Sequence, residues 1–194
     1  MRGRCLRVSR PTPWTLLSFI IGRLMALHIE FEQWVPFPLD LVFTFFSDPE
    51  NLPKIMPTSS ATRLVEVKRV PPSVAPAGLK NEKATGTGSI LVTSFRVFPF
   101  LPFRQQWIAR ITEFEWNHHF ADVQERGPFQ SWHHRHEFTA SSRNGMSGTT
   151  IRDVIDYEIG FGLLGRLVDA PLVRRQMDST FRERQRKLPE LLRK

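Results

Sequence analysis

The sequence contains very little cysteine and no long apolar run. The only cysteine among the 194 residues is Cys5, which excludes an intramolecular disulfide and any metal site built from cysteines. So little cysteine suits a reducing compartment, and we therefore expect a cytoplasmic location. The apolar run at 14–21 covers about eight residues, well below the ~20 that a membrane-spanning helix needs.

Two common catalytic signatures are missing as well. The chain has no Gly-x-Ser-x-Gly motif, and Cys5 is not a credible nucleophile in its sequence context. The run Gly86–Ser89 ("GTGS") lacks the preceding strand and following helix of a phosphate-binding loop. The sequence therefore offers no standard nucleophile and no standard nucleotide site.

The formal net charge of +8 is concentrated at the two ends of the chain. Residues 1–24 carry five arginines and no acid, and residues 166–194 carry nine basic residues against four acidic ones. The segment between them is slightly acidic, so a nucleic-acid surface would have to lie on the ends alone. Because such charge runs are usually solvated, we expect no nucleic-acid partner.

Residues 1–25 are expected to be an N-terminal extension outside the fold, and residues 26–194 a single domain. Three interpretations of the extension stay open. Translation could start at Met25, the segment could serve export or contact a membrane surface, or it could form an ordered helix.

The period of the apolar residues changes several times along the chain. Residues 27–35 alternate apolar and polar side chains, which predicts a half-buried strand. Helical spacing follows from Leu39, and Asp48 before Pro49 is a good cap for a second short helix. Six further alternating segments, separated by turns or loops, then predict an antiparallel meander.

A helical period returns from Leu163 to the end of the chain, with Pro171 and Pro189 as expected disturbances. The element order predicts an α+β fold: a curved antiparallel sheet of about seven strands wrapped around a long C-terminal helix. Such a sheet often leaves a space beneath the helix, which is the usual place for a small-molecule site.

Several motifs carry a resemblance to a known family: "SDPENLPKIMP", "RITEFEW", "FADVQERGPFQSWHHRHEF", "GTTIRDVIDYEIGFGLLG" and "FRERQRKL". Over about residues 27–193 the chain resembles the START-like (SRPBCC) superfamily, closest to its bacterial ligand-binding and polyketide cyclase/dehydrase-like branch. The resemblance implies a helix-grip fold with a largely apolar cavity. It also implies binding of lipids, polyketides or other hydrophobic molecules, with catalysis in a minority of members. The long loop Pro71–Thr85 and Pro171 depart from the family pattern.

The stretch "WHHRHEF" places three histidines within four positions, 133, 134 and 136. On a strand, Trp132, His134, His136 and Phe138 share one face, which is the more apolar and should be concave. His133 then belongs to the solvated face. The turn at Asn144–Gly145 is a strong hairpin signal and sets the partners of this strand.

These registers predict two sets of cross-strand neighbours. With a tip at Arg143–Met146, the predicted pairs are His136 with Asp153, His134 with Ile155, and Trp132 with Tyr157. With a turn at Gly127–Phe129, the preceding hairpin pairs His134 with Asp122, Trp132 with Gln124, and His136 with Phe120. Each of the two inward histidines would therefore lie beside an aspartate on the cavity wall.

A histidine beside an aspartate supports proton transfer, and a buried phenol could polarise a ligand carbonyl. His136, Asp153 and Tyr157 are therefore the candidate catalytic residues. The alternative is that the pairs only satisfy buried polar groups and orient a ligand. The predicted ligand-binding residues are Trp107, Asp122, Gln124, Trp132, His134, His136, Phe138, Asp153, Ile155 and Tyr157. His134 and His136 with Asp122 or Asp153 could also hold a metal, but such pairs are common without one, so we expect no metal and no cofactor.

The preferred function is therefore the binding of a hydrophobic small molecule in an interior cavity. The first alternative is a cyclase or dehydratase that uses a His–Asp pair. The second is an interaction module whose basic termini contact a protein or an anionic membrane. The ligand and the oligomeric state stay open at this point.

Overall fold

One curved antiparallel sheet and one long helix dominate the computed structural model, which describes residues 27–73, 83–96, 103–160 and 172–193. The elements, in chain order, are β1 (Leu27–Val35), α1 (Leu39–Ser47), α2 (Leu52–Ile55), β2 (Arg63–Lys68), β3 (Ile90–Phe95), β4 (Gln105–Glu115), β5 (His119–Arg126), β6 (Ser131–Arg143), β7 (Met146–Glu158) and α3 (Arg174–Leu192). Short 3₁₀ turns at Pro49–Asn51 and Thr58–Ser60 flank α2. This is the predicted helix-grip fold, and the pair of short helices after the first strand is confirmed.

The seven strands form a single sheet in the order β1-β7-β6-β5-β4-β3-β2. From β2 to β7 each strand pairs with its sequence neighbour, which confirms the six-strand meander. β1 pairs with β7, the last strand, so the first and last strands of the chain lie side by side. This order places β6 and β7 inside the sheet, so both edges of each strand are paired.

The short helices cover one end of the concave face. The Asp48 side chain accepts a hydrogen bond from the backbone N–H of Glu50, so it caps the 3₁₀ turn Pro49–Asn51 that leads into α2, and not α2 itself as predicted. On α1, Phe43 is fully buried, and its ring meets that of Phe138 on β6 at 5.1 Å. Edge-to-face contacts of this kind add to the burial of apolar area, so α1 is held firmly on the sheet.

The long helix α3 packs one face on the sheet. Its buried residues are Met177, Phe181, Arg184, Leu188 and Leu192. Pro189 was expected to weaken the last turn, yet the helix continues to Leu192. Proline lacks the N–H that would bond the carbonyl four residues earlier. That carbonyl, on Gln185, instead accepts a 2.6 Å hydrogen bond from Nε2 of Gln33 on β1.

Two groups of buried apolar residues form the core. The first joins α1, the sheet and the C-terminal half of α3, and the second joins β1, β7 and the N-terminal half of α3. Phe181 stacks on Phe31 at 4.0 Å in the second group. Along β6 and α3, the polar residues His134, His136 and Arg184 lie between the two groups.

Some sequence predictions fall outside the described residues. These are the N-terminal extension 1–25, most of the loop Pro71–Thr85, and the helix start at Leu163 with Pro171. The interaction-module hypothesis depends partly on the first of these. None of the helices in the described part of the chain has the length and apolar character needed to cross a bilayer.

Candidate functional site

A cavity of about 420 Å³ lies between the concave face of the sheet and α3. Its wall is mostly apolar and is built from the short helices, from β3 to β6, and from α3. A volume of this size lies within the usual range for small-molecule sites, roughly 300–1,000 Å³. The structure therefore contains the space between sheet and helix that the sequence predicted.

Four aromatic side chains form one part of the wall: Phe95, Trp107, Phe129 and Trp132. The indoles of Trp107 and Trp132 meet edge to face, with centroids 5.0 Å apart. Phe129 lies 5.0 Å from Trp132 and 5.8 Å from Trp107. This aromatic wall offers large flat surfaces with little conformational freedom, which suits apolar or planar ligands.

Two buried histidines interrupt the apolar lining. His134 and His136 follow Trp132 on β6, and their rings lie 4.0 Å apart. Alternation along the strand turns both toward the concave side, where their exposed fractions are 7% and 6%. Phe120 lies 4.4 Å from the ring of His136 and Trp132 lies 5.9 Å from that of His134, so aromatic rings border the pair.

Both histidines contact the same carboxylate oxygen of Asp153 on β7. Nε2 of His134 hydrogen-bonds Oδ1 of Asp153 at 3.0 Å. Nδ1 of His136 lies 2.6 Å from the same oxygen, at an ion-pair distance but without hydrogen-bond alignment. We call His134, His136, Asp153 and Asp122 the polar cluster. Asp122 is its outlying member, because its Oδ2 is 3.9 Å from Nδ1 of His134.

The hairpin between β6 and β7 sets the geometry of the polar cluster. Asn144 and Gly145 at its tip have φ of 53° and 76°, values that asparagine and glycine tolerate best. The resulting register places His136 opposite Asp153 and His134 opposite Ile155, as predicted. On the other side, His134 lies opposite Asp122, also as predicted.

Burial and neighbouring charges shift the pKa values of the cluster in opposite directions. Burial lowers the pKa of His134 to about 4, and it lowers that of His136 as well. Burial alone would raise the pKa of Asp153, but the charges of His136 and Arg184 and the bond from His134 hold it well below its ordinary value. Burial raises the pKa of Asp122, against the charges of His134 and Arg184. The cluster thus pairs an ionised carboxylate with two neutral imidazoles at neutral pH.

Sequence patterns did not identify Arg184 as part of the site. It is buried on α3, lines the cavity and lies over the ring of Phe181 at 4.6 Å. One of its guanidinium nitrogens is 4.0 Å from Oδ1 of Asp153. A signal was present, since Arg184 occupies the buried position between Phe181 and Leu188 in the helical repeat.

The structure divides the predicted site residues into two sets. Those that line the cavity are Trp107, Asp122, Trp132, His134 and His136. Those outside the lining are Gln124, Phe138, Asp153, Ile155 and Tyr157. Asp153 acts from behind the histidines, whereas Phe138, Ile155 and Tyr157 belong to the core groups.

Gln124 has a different role from its predicted neighbours. The β5–β6 ladder ends with Val123 opposite His133, so Gln124 does not pair with Trp132. Its side-chain Nε2 instead donates to the backbone carbonyl of Phe129 at 2.7 Å. Gln124 therefore helps to hold the turn that carries Phe129 to the cavity wall.

Two groups among the described residues could hold a metal ion by the spacing of their ligand atoms. One is Asp122, His134 and His136 inside the cavity, and the other is Glu115, His118 and His119 at the β4–β5 turn. The first group is largely buried and the second is mostly exposed. Only the buried group combines such spacing with a ligand cavity.

A family model for polyketide cyclase/dehydrase and lipid transport proteins matches residues 35–180. No curated protein sequence matches the chain. These two results concern sequence alone.

Several solved structures share the fold. Protein CV1439 from Chromobacterium violaceum is 12% identical, with a TM-score of 0.60, covering 85% of this chain and 96% of its own. A START superfamily protein from Mycobacterium smegmatis is 11% identical, with a TM-score of 0.56 and coverages of 86% and 97%. A norcoclaurine synthase mutant from Thalictrum flavum, solved with a transition-state analogue, is 16% identical, with a TM-score of 0.53 and coverages of 86% and 94%. At these identities the likeness concerns the fold alone.

Proposed function

The chain belongs to the polyketide cyclase/dehydrase and lipid transport family, and from that premise we propose that it binds a hydrophobic small molecule between its sheet and α3. The observation that carries this proposal is the mostly apolar cavity of about 420 Å³ with one polar cluster in its wall. The apolar lining would supply most of the binding free energy. The polar cluster and Arg184 would orient one polar group of the ligand.

The distribution of the lining supports a ligand with two chemically different parts. The aromatic wall around Trp107 and Trp132 favours an apolar or planar body. His134 and His136 from β6 and Arg184 from α3 are the ionisable side chains that these two elements contribute to the same cavity, and α3 adds Gln176 and Thr180. The guanidinium of Arg184 can donate hydrogen bonds, so a carbonyl or carboxylate oxygen of the ligand fits beside it. A neutral imidazole whose N–H is turned to Asp153 can only accept, so a ligand hydroxyl fits beside His134.

Native mass spectrometry of the purified protein, followed by solvent extraction, tests the proposal. We expect a stoichiometric hydrophobic passenger, or thermal stabilisation by members of a panel of fatty acids and planar polyphenols. Ala109 lines the cavity on β4, so Ala109→Trp should fill the space and abolish both effects. The matched control is Ala140→Trp, at an exposed position of β6, which should leave both unchanged. An empty wild-type protein that no compound stabilises would refute the proposal.

A second candidate function is catalysis of proton transfer, as in a cyclase or dehydratase. It is favoured by the 2.6 Å contact between His136, which lines the cavity, and an ionised Asp153 behind it. Tyr157, the electrophile of the sequence hypothesis, is only 2% exposed and outside the lining, whereas Arg184 is on it. Arg184 is therefore the better placed group to polarise a ligand carbonyl.

His136→Ala separates the two functions once a ligand is identified. A binding protein should keep most of its affinity, because one hydrogen bond contributes only about 0.5–1.5 kcal/mol. An enzyme should lose turnover by a factor of about 100 or more when its base is removed. His133→Ala, on the opposite face of β6, is the control for both measurements.

A further inference from the structure

The polar cluster contains three side chains that could bind a metal ion and a fourth, Asp153, that could hydrogen-bond the metal-binding histidines from outside. We call a residue in that second role an outer partner. One ligand atom from each of Asp122, His134 and His136 lies within 4.8 Å of the other two. Ligand atoms about 2.1 Å from a shared ion lie roughly 3–4 Å apart, so small side-chain movements would bring these three to one ion. Two imidazoles and one carboxylate form a common set for divalent transition metals.

Asp153 occupies the place of the outer partner. Metal-bound histidines usually donate their second ring N–H to a carboxylate, which fixes the tautomer and the ring orientation. Nε2 of His134 makes this bond to Asp153 at 3.0 Å. The remaining ring nitrogen of His134, Nδ1, is the one that faces Asp122 at 3.9 Å. That distance is too long for a hydrogen bond and leaves room for adjustment around an ion.

His136 supplies an independent observation. Its Nδ1 atom is buried and lies 2.6 Å from Oδ1 of Asp153, so a small rotation of the ring would align its N–H with the carboxylate. Asp153 thus faces one ring nitrogen of each histidine. The other nitrogen of each ring is the one available to an ion.

We propose that Asp122, His134 and His136 bind a divalent transition-metal ion in the cavity, with Asp153 as the outer partner that orients the histidines. Three protein ligands leave coordination positions open toward the cavity. A ligand oxygen held there would be polarised by the ion, so the site would give the cavity a Lewis acid as well as an anchor. Asp122 and Asp153 supply carboxyl oxygens at this point, and a cation would favour the ionised form of both.

The experiment uses the full chain, stripped with EDTA and titrated with Co²⁺ followed by visible absorption and calorimetry. We expect one equivalent to bind with a d–d spectrum, and Zn²⁺ to displace it. His134→Gln and Asp122→Asn should each weaken binding at least ~10-fold, and Asp153→Asn about 10- to 100-fold, as outer partners do. The matched control removes the other candidate group with His118→Gln and His119→Gln, and should leave binding unchanged.

A measurement on the unmutated protein guards against variants that fail to fold. In the Co²⁺-loaded protein, proton NMR should show hyperfine-shifted, exchangeable imidazole N–H signals, with that of His134 protected by Asp153. Absence of stoichiometric binding, absence of such signals, or loss of binding in the surface control would overturn the proposal. Ligand retention measured in EDTA is independent of these outcomes, so a failed metal site and a failed ligand site are distinguishable.

Discussion

Acid should destabilise this fold through the buried imidazole of His134. Its pKa falls from an ordinary 6.5 to about 4 in the folded protein because of burial. The unfolded chain therefore binds more protons than the folded chain between these values, and stability falls as the pH drops through this window. The stability that neutral His134 contributes is fully present above its pKa in the unfolded chain. It is lost progressively as the pH falls toward its pKa in the folded protein.

The expected size follows from the two pKa values. At pH 5 the linkage relation gives a loss of about 2 kcal/mol in the free energy of unfolding, relative to neutral pH, from His134 alone. The total available shift is about 3 kcal/mol, and most of it lies below pH 6. A change of this size is a large part of the stability of a typical domain, about 5–15 kcal/mol.

Urea unfolding at pH 7, 6 and 5, in the presence of EDTA, measures the effect. The wild type should lose about 2 kcal/mol more between pH 7 and 5 than His134→Gln, because glutamine cannot bind the proton. His118→Gln removes an exposed histidine and should keep the wild-type slope. Parallel slopes for wild type and His134→Gln would refute the reasoning, since the buried imidazole would then not be coupled to folding.

Two further predictions concern the packing around the cavity. Phe43→Ala should lower the free energy of unfolding by about 3–5 kcal/mol, because it removes a fully buried ring. Phe103 is 76% exposed, so the control Phe103→Ala should cost little. Equal losses of the two variants in urea unfolding would contradict the assigned core. Gln33→Ala should cost about 0.5–1.5 kcal/mol by removing the half-buried hydrogen bond to the Gln185 carbonyl. That cost should shrink in a Pro189→Ala background, where the helix regains its own N–H, and a double-mutant cycle without coupling would argue against this role.

The hairpin registers were predictable because their turn is local. Asn144 and Gly145 adopt the positive φ angles that define a tight two-residue connection, and the partners of β6 then follow by counting. Register, however, names only the residue directly opposite. His134 lies opposite Ile155 but reaches diagonally to Asp153, and that choice depends on side-chain rotamers and sheet twist. Strand register alone therefore could not predict that both histidines contact the carboxylate of Asp153.

The contribution of α3 to the site was less accessible still. Helical periodicity predicted its buried face from the apolar residues, and Arg184 continues that repeat as a charged side chain. Its partners are the ring of Phe181, one turn earlier on the same helix, and the carboxylate of Asp153, which comes from a distant strand. Helical periodicity assigns charged residues to the solvent-exposed face, so it does not predict a buried arginine or the residues that it contacts.

The edge-to-face indoles in the aromatic wall should make intrinsic tryptophan fluorescence sensitive to ligand binding. Trp107 and Trp132 are two of the five tryptophans in the chain, and both face the cavity. An arriving molecule would change the polarity around them and quench or shift their emission, while Trp34 and Trp116 lie elsewhere and supply a constant background. Occupancy could thus be followed in real time without a label, and Trp132→Phe would tell which indole carries the signal.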